Sequence, residues 1–240
     1  MLKLIMSISV FLAFSGFAQT SQEKIYKAYV FDDMASWKNT IDAMHTESAK
    51  PLERELELLN YEYGYIGWCI GNNLKAEARV YLQRGESRIL KLKQNGYKLA
   101  LLHAYQSAFY GYEIGLNKLK APFFGRKSIN EAKKSVEIDN NNYLGYIQLG
   151  NIEFYMPTAF GGSKKKSLEY YLKAEELMQK GNTQNNWNYL SLITQIAQLY
   201  EALADDDKAE LYYKKALKIA PEFSWVKDEL YPNFLKKKKR

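Results

Sequence analysis

The sequence predicts an all-α fold of stacked antiparallel helix pairs, preceded by an extra N-terminal helical segment. Three observations carry this. Met34, Trp37, Ile41 and Met44 follow one another at spacings of three and four, the period of a helical face. Only five prolines interrupt 240 residues, so long helices are permitted. Small and aromatic residues also recur in register: Ala197, Tyr200, Ala209, Tyr213 and Ala216 lead to Pro221. With 47% apolar residues and 20 tyrosines, the chain can bury a sizeable core.

Residues 1–18 read as a signal peptide. Lys3 supplies a positive start, and Leu4 to Phe14 is an apolar run too short to span a bilayer. Gly16-Phe17-Ala18 then sets small residues before Gln19, so cleavage is expected after Ala18. The junction resembles those of proteins exported by Gram-negative bacteria, and the expected location is periplasmic.

Residues 19–57 form an N-terminal helical segment. Its apolar stripe is the one through Trp37, and Pro51 opens a second helix, where a first-turn proline is tolerated. Residues 58–223 divide into about four helix pairs. Gly64 and Ala76 lie twelve apart, as do Ala197 and Ala209, and Gly71-Asn72-Asn73 makes the turn of the first pair. In the middle pairs Gly111 and Ser128 lie seventeen apart, as do Gly150 and Ser167. Each brackets an expected turn, Ala121–Gly125 and Met156–Gly162. The second helices then align as Ser128-Ala132-Ser135 and Ser167-Tyr171-Ala174. Asp139–Asn142 ends one pair, and Lys180–Asn186 is a polar linker before the last. Residues 224–240 are a C-terminal extension with the basic tail Lys236–Arg240.

The run Lys208–Pro221, with Ala197 and Tyr200 upstream, resembles the tetratricopeptide repeat (TPR) family of exported bacterial type. The resemblance implies a right-handed superhelical solenoid in which small residues let paired helices approach, an aromatic fills the gap and proline stops the second helix. It also implies a binding surface on the first helix of each pair, the concave face. Phe160-Gly161-Gly162-Ser163 with the Lys164–Lys166 run, followed by Tyr171 and Ala174, is similar to the TPR partner component of tripartite ATP-independent periplasmic (TRAP) transporters. That similarity implies an alternative role in binding a small molecule or lipid.

The residues that match the inward places are Leu58, Tyr61, Tyr65 and Trp68, then Tyr105, Ala108 and Tyr112, then Leu144, Ile147, Asn151, Phe154 and Tyr155. The last pair offers Ser191, Thr194, Gln198 and Glu201 instead. Three-quarters of the groove is thus expected to be apolar and aromatic. It is either filled by the helix carrying Trp37 or open to an envelope protein or peptide, or to an apolar small molecule. Only Asn151 fits the pattern that grips a terminal carboxylate, so that subtype is rejected.

The net charge of +7 does not describe a basic groove, because five of the cations are the tail. Nucleic acid is therefore not an expected partner. The tail reads as a frayed, solvated end, with contact to anionic lipid as the lesser reading. No catalytic constellation, cofactor motif or metal set emerges, and the chain is not expected to be an enzyme. His45 and His103 are the only histidines and stand far apart in sequence. The lone Cys69 permits no intramolecular disulfide and reads as a small buried residue. Asp205-Asp206-Asp207 reads as a turn and helix cap, and Gly161–Lys164 as a turn and cap without the spacing of a phosphate loop.

Overall fold

The computed structural model describes residues 19–238. The expected export signal and its cleavage point after Ala18 lie outside the described residues, as do Lys239 and Arg240. The described chain is all-helical: eleven α-helices and no strand.

Two helices, not one, open the fold: α1 (Ser21–Val30) and α2 (Met34–Thr46). Asp32 takes a left-handed φ of 54° between them. Asp33 then caps α2 by accepting the Ser36 N–H at 3.0 Å. Next come α3 (Leu52–Gly71) and α4 (Lys75–Gln94), α5 (Leu99–Leu116) and α6 (Ala121–Ile138), α7 (Tyr143–Tyr155) and α8 (Lys164–Gln179), and α9 (Trp187–Ala202) and α10 (Asp206–Ile219). A short π-helical stretch, Trp225–Leu230, leads into α11 (Tyr231–Lys238). Each of the four central pairs packs within itself, and successive pairs touch. The expected boundary at 57/58 falls inside α3, which runs unbroken from Leu52 to Gly71, with Pro51 extended just before it.

Ala121–Gly125 is not a turn. It is the first turn of α6, where Pro122 sacrifices no intrahelical hydrogen bond. The break comes earlier, at Asn117, whose φ of −151° and ψ of 106° are extended. The other caps follow the sequence reading. Ser163 accepts the Lys166 N–H at 3.3 Å, and Asp205 accepts the Lys208 N–H at 3.3 Å. Gly161, at φ 98°, makes the turn before Ser163 in a conformation open to glycine.

Small residues set the pair interfaces. Ala209, Tyr213 and Ala216 are fully buried on α10; Ser128, Ala132 and Ser135 turn inward on α6, as Ser167, Tyr171 and Ala174 do on α8. Two serine contacts fasten the middle pairs. Ser167 donates to the Gly150 carbonyl at 2.8 Å. Ser107 and Ser128 each donate to the other's carbonyl, at 2.8 and 2.9 Å.

These contacts correct the helix register. Ser107, one turn before Gly111, does for α5 what Gly150 does for α7. A Cβ on Gly111 would meet nothing within 4 Å. Gly64 turns to neither place: its Cβ would sit 2.6 Å from Trp187 Cη2 and 2.7 Å from Trp37 Cζ2. The three aligned glycines therefore mark three different environments.

The C-terminal tail is also corrected as far as it is described. Lys237 and Lys238 belong to α11 rather than to a frayed end. Lys237 Nζ lies 2.7 Å from Glu201, and Lys238 Nζ lies 2.9 Å from Glu210.

Candidate functional site

Much of the inward faces of α3, α5, α7 and α9 meets side chains rather than solvent. Trp37 of α2 enters from the N-terminal side, and its indole N–H donates to the Tyr61 carbonyl at 3.0 Å. Trp187, the first residue of α9, meets it with ring centroids 5.1 Å apart. Tyr29 of α1 packs on both rings and lies 5.1 Å from Phe223. Ser224 donates to the Val30 carbonyl at 3.2 Å, so the two ends of the described chain are joined.

Of the residues expected in the groove, Leu58, Tyr61, Tyr65, Tyr105, Leu144 and Ile147 are buried, as is Ala108. They do not form one surface. Tyr61, Tyr65 and Trp68 share a face of α3, but Tyr65 packs against Trp68 and against Tyr81 of α4, at 5.6 and 4.9 Å. Tyr105 and Tyr112 instead surround Tyr63, at 5.6 and 5.7 Å. Sequence reasoning missed Tyr63 and Trp187. Tyr63 sits two residues from both Tyr61 and Tyr65, so a stripe drawn through those two excludes it.

A polar seam ties this interior together. Asn60 accepts from Tyr105 at 3.1 Å and from Asn188 of α9 at 2.9 Å. Gln148 donates to Tyr63 at 3.2 Å, and Asn151 donates to Gln148 at 3.2 Å. Asn151 also accepts from Tyr171 at 2.5 Å. Asn151 is therefore occupied within the fold. Burial raises the Tyr105, Tyr112 and Tyr171 hydroxyls well above their ordinary range, so they serve as neutral donors. In the last pair Thr194 bonds back to the Leu190 carbonyl at 2.8 Å, Ser191 accepts from Gln195 at 3.1 Å, and Glu201 accepts from Tyr213 at 2.9 Å.

What remains accessible is a rim at the C-terminal ends of α3, α5 and α7. Trp68, Tyr112 and Phe154 are half-buried there, and Tyr155 is exposed. Tyr112 donates to the Tyr63 carbonyl at 3.0 Å. Phe154 and Tyr155 meet edge to face, 4.9 Å apart.

A second cluster lies where α2, α3 and α4 meet. Arg88 donates to both Glu62 oxygens, at 3.0 and 3.1 Å, and to Glu55. Lys91 reaches Glu55 at 2.7 Å, and His45 Nδ1 lies 3.2 Å from Arg88. Burial and the Arg84 and Arg88 cations lower the His45 pKa, so the ring is neutral. An open depression of about 410 Å³ lies above Arg88. Its charges are already matched, which makes the cluster a structural ion network.

Among the described residues, no group of three or more His, Cys, Asp and Glu side chains could hold a metal ion. No described helix is long and apolar enough to cross a membrane. His103 sits 2.5 Å from Glu131, whereas His45 faces Arg88. Burial pushes the Cys69 thiol up to about 12, so it is protonated at neutral pH and a poor nucleophile. The chain matches no protein-family model and no curated protein sequence.

Proposed function

We propose that this chain is a non-catalytic interaction module of the bacterial envelope, a right-handed solenoid of TPR-like helix pairs whose concave face is filled by its own N-terminal helices. It acts as an adaptor, and it holds a protein or peptide partner at the aromatic rim of α3, α5 and α7 rather than along a full groove. The observation that carries this reading is Tyr155. It stands 75% exposed at the end of α7, its ring 4.9 Å from that of half-buried Phe154. Aromatic side chains with a wet polar tip are enriched where partners dock, because they bury large area at small entropic cost. The protonated Cys69 thiol and the internally matched Arg88 cluster support a non-catalytic role.

The test is capture of an envelope partner by the intact protein and by Phe154→Ser/Tyr155→Asp. The double variant should lose capture while melting at the same temperature. Equal capture by both proteins would contradict the rim.

A further inference from the structure

The two tips that join α5 to α6 and α7 to α8 share a property found nowhere else on the described surface. Three of the four most exposed large apolar side chains, Leu119 (82%), Phe160 (78%) and Phe123 (73%), lie at these tips. Both tips project from the same edge of the stack. Helix α6 returns antiparallel along α5, with Ser107 bonded to Ser128, and α7 returns along α6, with Gly145 close against Ser135, while α5 and α7 also touch each other. Helices α5 and α7 therefore run parallel, with their C-terminal ends together. Strongly exposed apolar side chains gathered at one edge mark a docking surface.

Charge identifies what docks there. Lys118 flanks Leu119, Arg126 and Lys127 follow Phe123, and Lys164, Lys165 and Lys166 follow Phe160; all six are exposed. Among the described residues none of these six forms a salt bridge, and Glu113, the carboxylate nearest in sequence to the first tip, is held by Lys120 at 2.5 Å. Exposed Phe and Leu side chains with long cationic neighbours in the chain match an anionic lipid interface. The rings enter the acyl boundary while the lysines reach back to phosphate. We propose that this edge docks on an anionic membrane surface, with Leu119, Phe123 and Phe160 inserted and the six cations facing headgroups. This goes beyond the partner-binding rim, since it uses the outer tips and needs no protein partner.

The test is co-sedimentation of the full-length chain with phosphatidylcholine vesicles, with and without phosphatidylglycerol. The apolar run Leu4–Phe14 can itself enter lipid, so the decisive comparison is between variants of the same chain. Wild type should bind the anionic vesicles preferentially and lose that preference in high salt. Leu119→Ser/Phe123→Ser/Phe160→Ser should bind roughly tenfold or more weakly, as should Lys164→Gln/Lys165→Gln/Lys166→Gln. Leu211→Ser, which removes a 62% exposed side chain on α10, should change nothing. Circular dichroism should be the same for all four proteins. Equal binding by wild type and both tip variants, equal binding to neutral vesicles, or no vesicle binding by wild type would each overturn the proposal. The last result would assign the edge to a protein partner.

Discussion

Trp187 meets Trp37 edge to face, with planes 74° apart, and both rings lie over Gly64. One contact thus joins the N-terminal helices, the first pair and the last pair. It fills the face that a string of open repeats would leave to a ligand.

Gly64 should therefore resist substitution. A Cβ there would be 2.6 Å from one indole and 2.7 Å from the other, so Gly64→Ala should cost about 1–3 kcal/mol through overpacking. Gly111→Ala, with open space around it, should instead stabilise by roughly 0.5–1 kcal/mol, the usual gain over a mid-helix glycine. Urea denaturation of the two variants measures the contrast.

Ala216→Trp should unfold the last pair. Ala216 is fully buried between α9 and α10, and a large ring at such a contact costs roughly 1–3 kcal/mol or more. Lys214→Trp, two residues away, replaces an exposed side chain whose ammonium lies 2.6 Å from Glu210. It should be far milder, and equal losses in thermal melts would show that the helix faces are wrong.

Arg88→Met should cost about 3–5 kcal/mol at neutral pH, because it strands the buried Glu62 carboxylate, whereas Glu55 keeps Lys91. Burial already raises the Glu62 pKa above its ordinary 4.5 with Arg88 present. Without Arg88 the Glu62 carboxyl holds a proton in the fold that the unfolded chain releases. Stability gained from that proton is complete below pH 4.5 and lost as pH rises through the folded value. The deficit of Arg88→Met should shrink on acidification. A deficit that does not vary with pH would mean the cluster is not buried.

Glu210 tests the docking of α11. Hydrogen bonds from Lys214 and Lys238 lower its pKa from 4.5 to about 2. Its contribution is present above pH 4.5 and lost as pH falls toward 2. The melting temperatures of wild type and Glu210→Gln should differ at neutral pH and converge on acidification.

The sequence carried the last helix pair well, because Ala209, Tyr213 and Ala216 repeat a local spacing that only close helix packing explains. The caps at Ser163 and Asp205 were legible for the same local reason. The groove was not. Gly64, Gly111 and Gly150 look equivalent in sequence, yet one opens to two indoles, one to empty space and one to Tyr171. A glycine shows that something comes close without saying from which side. Trp187 was invisible as a core residue because its partners, Tyr29, Trp37 and Tyr63, lie more than a hundred residues upstream.

The most direct test of the proposal that the N-terminal helices fill a concave face is hydrogen exchange at the four tryptophan indole N–H groups, followed by NMR on the full-length chain. Trp37 is buried and donates to Tyr61 at 3.0 Å, whereas Trp225 is exposed. The account predicts that the Trp37 signal, assigned by its loss in Trp37→Phe, exchanges orders of magnitude more slowly than that of Trp225. Exchange of Trp37 as fast as Trp225 would mean that α1 and α2 leave the groove open, and would contradict the account.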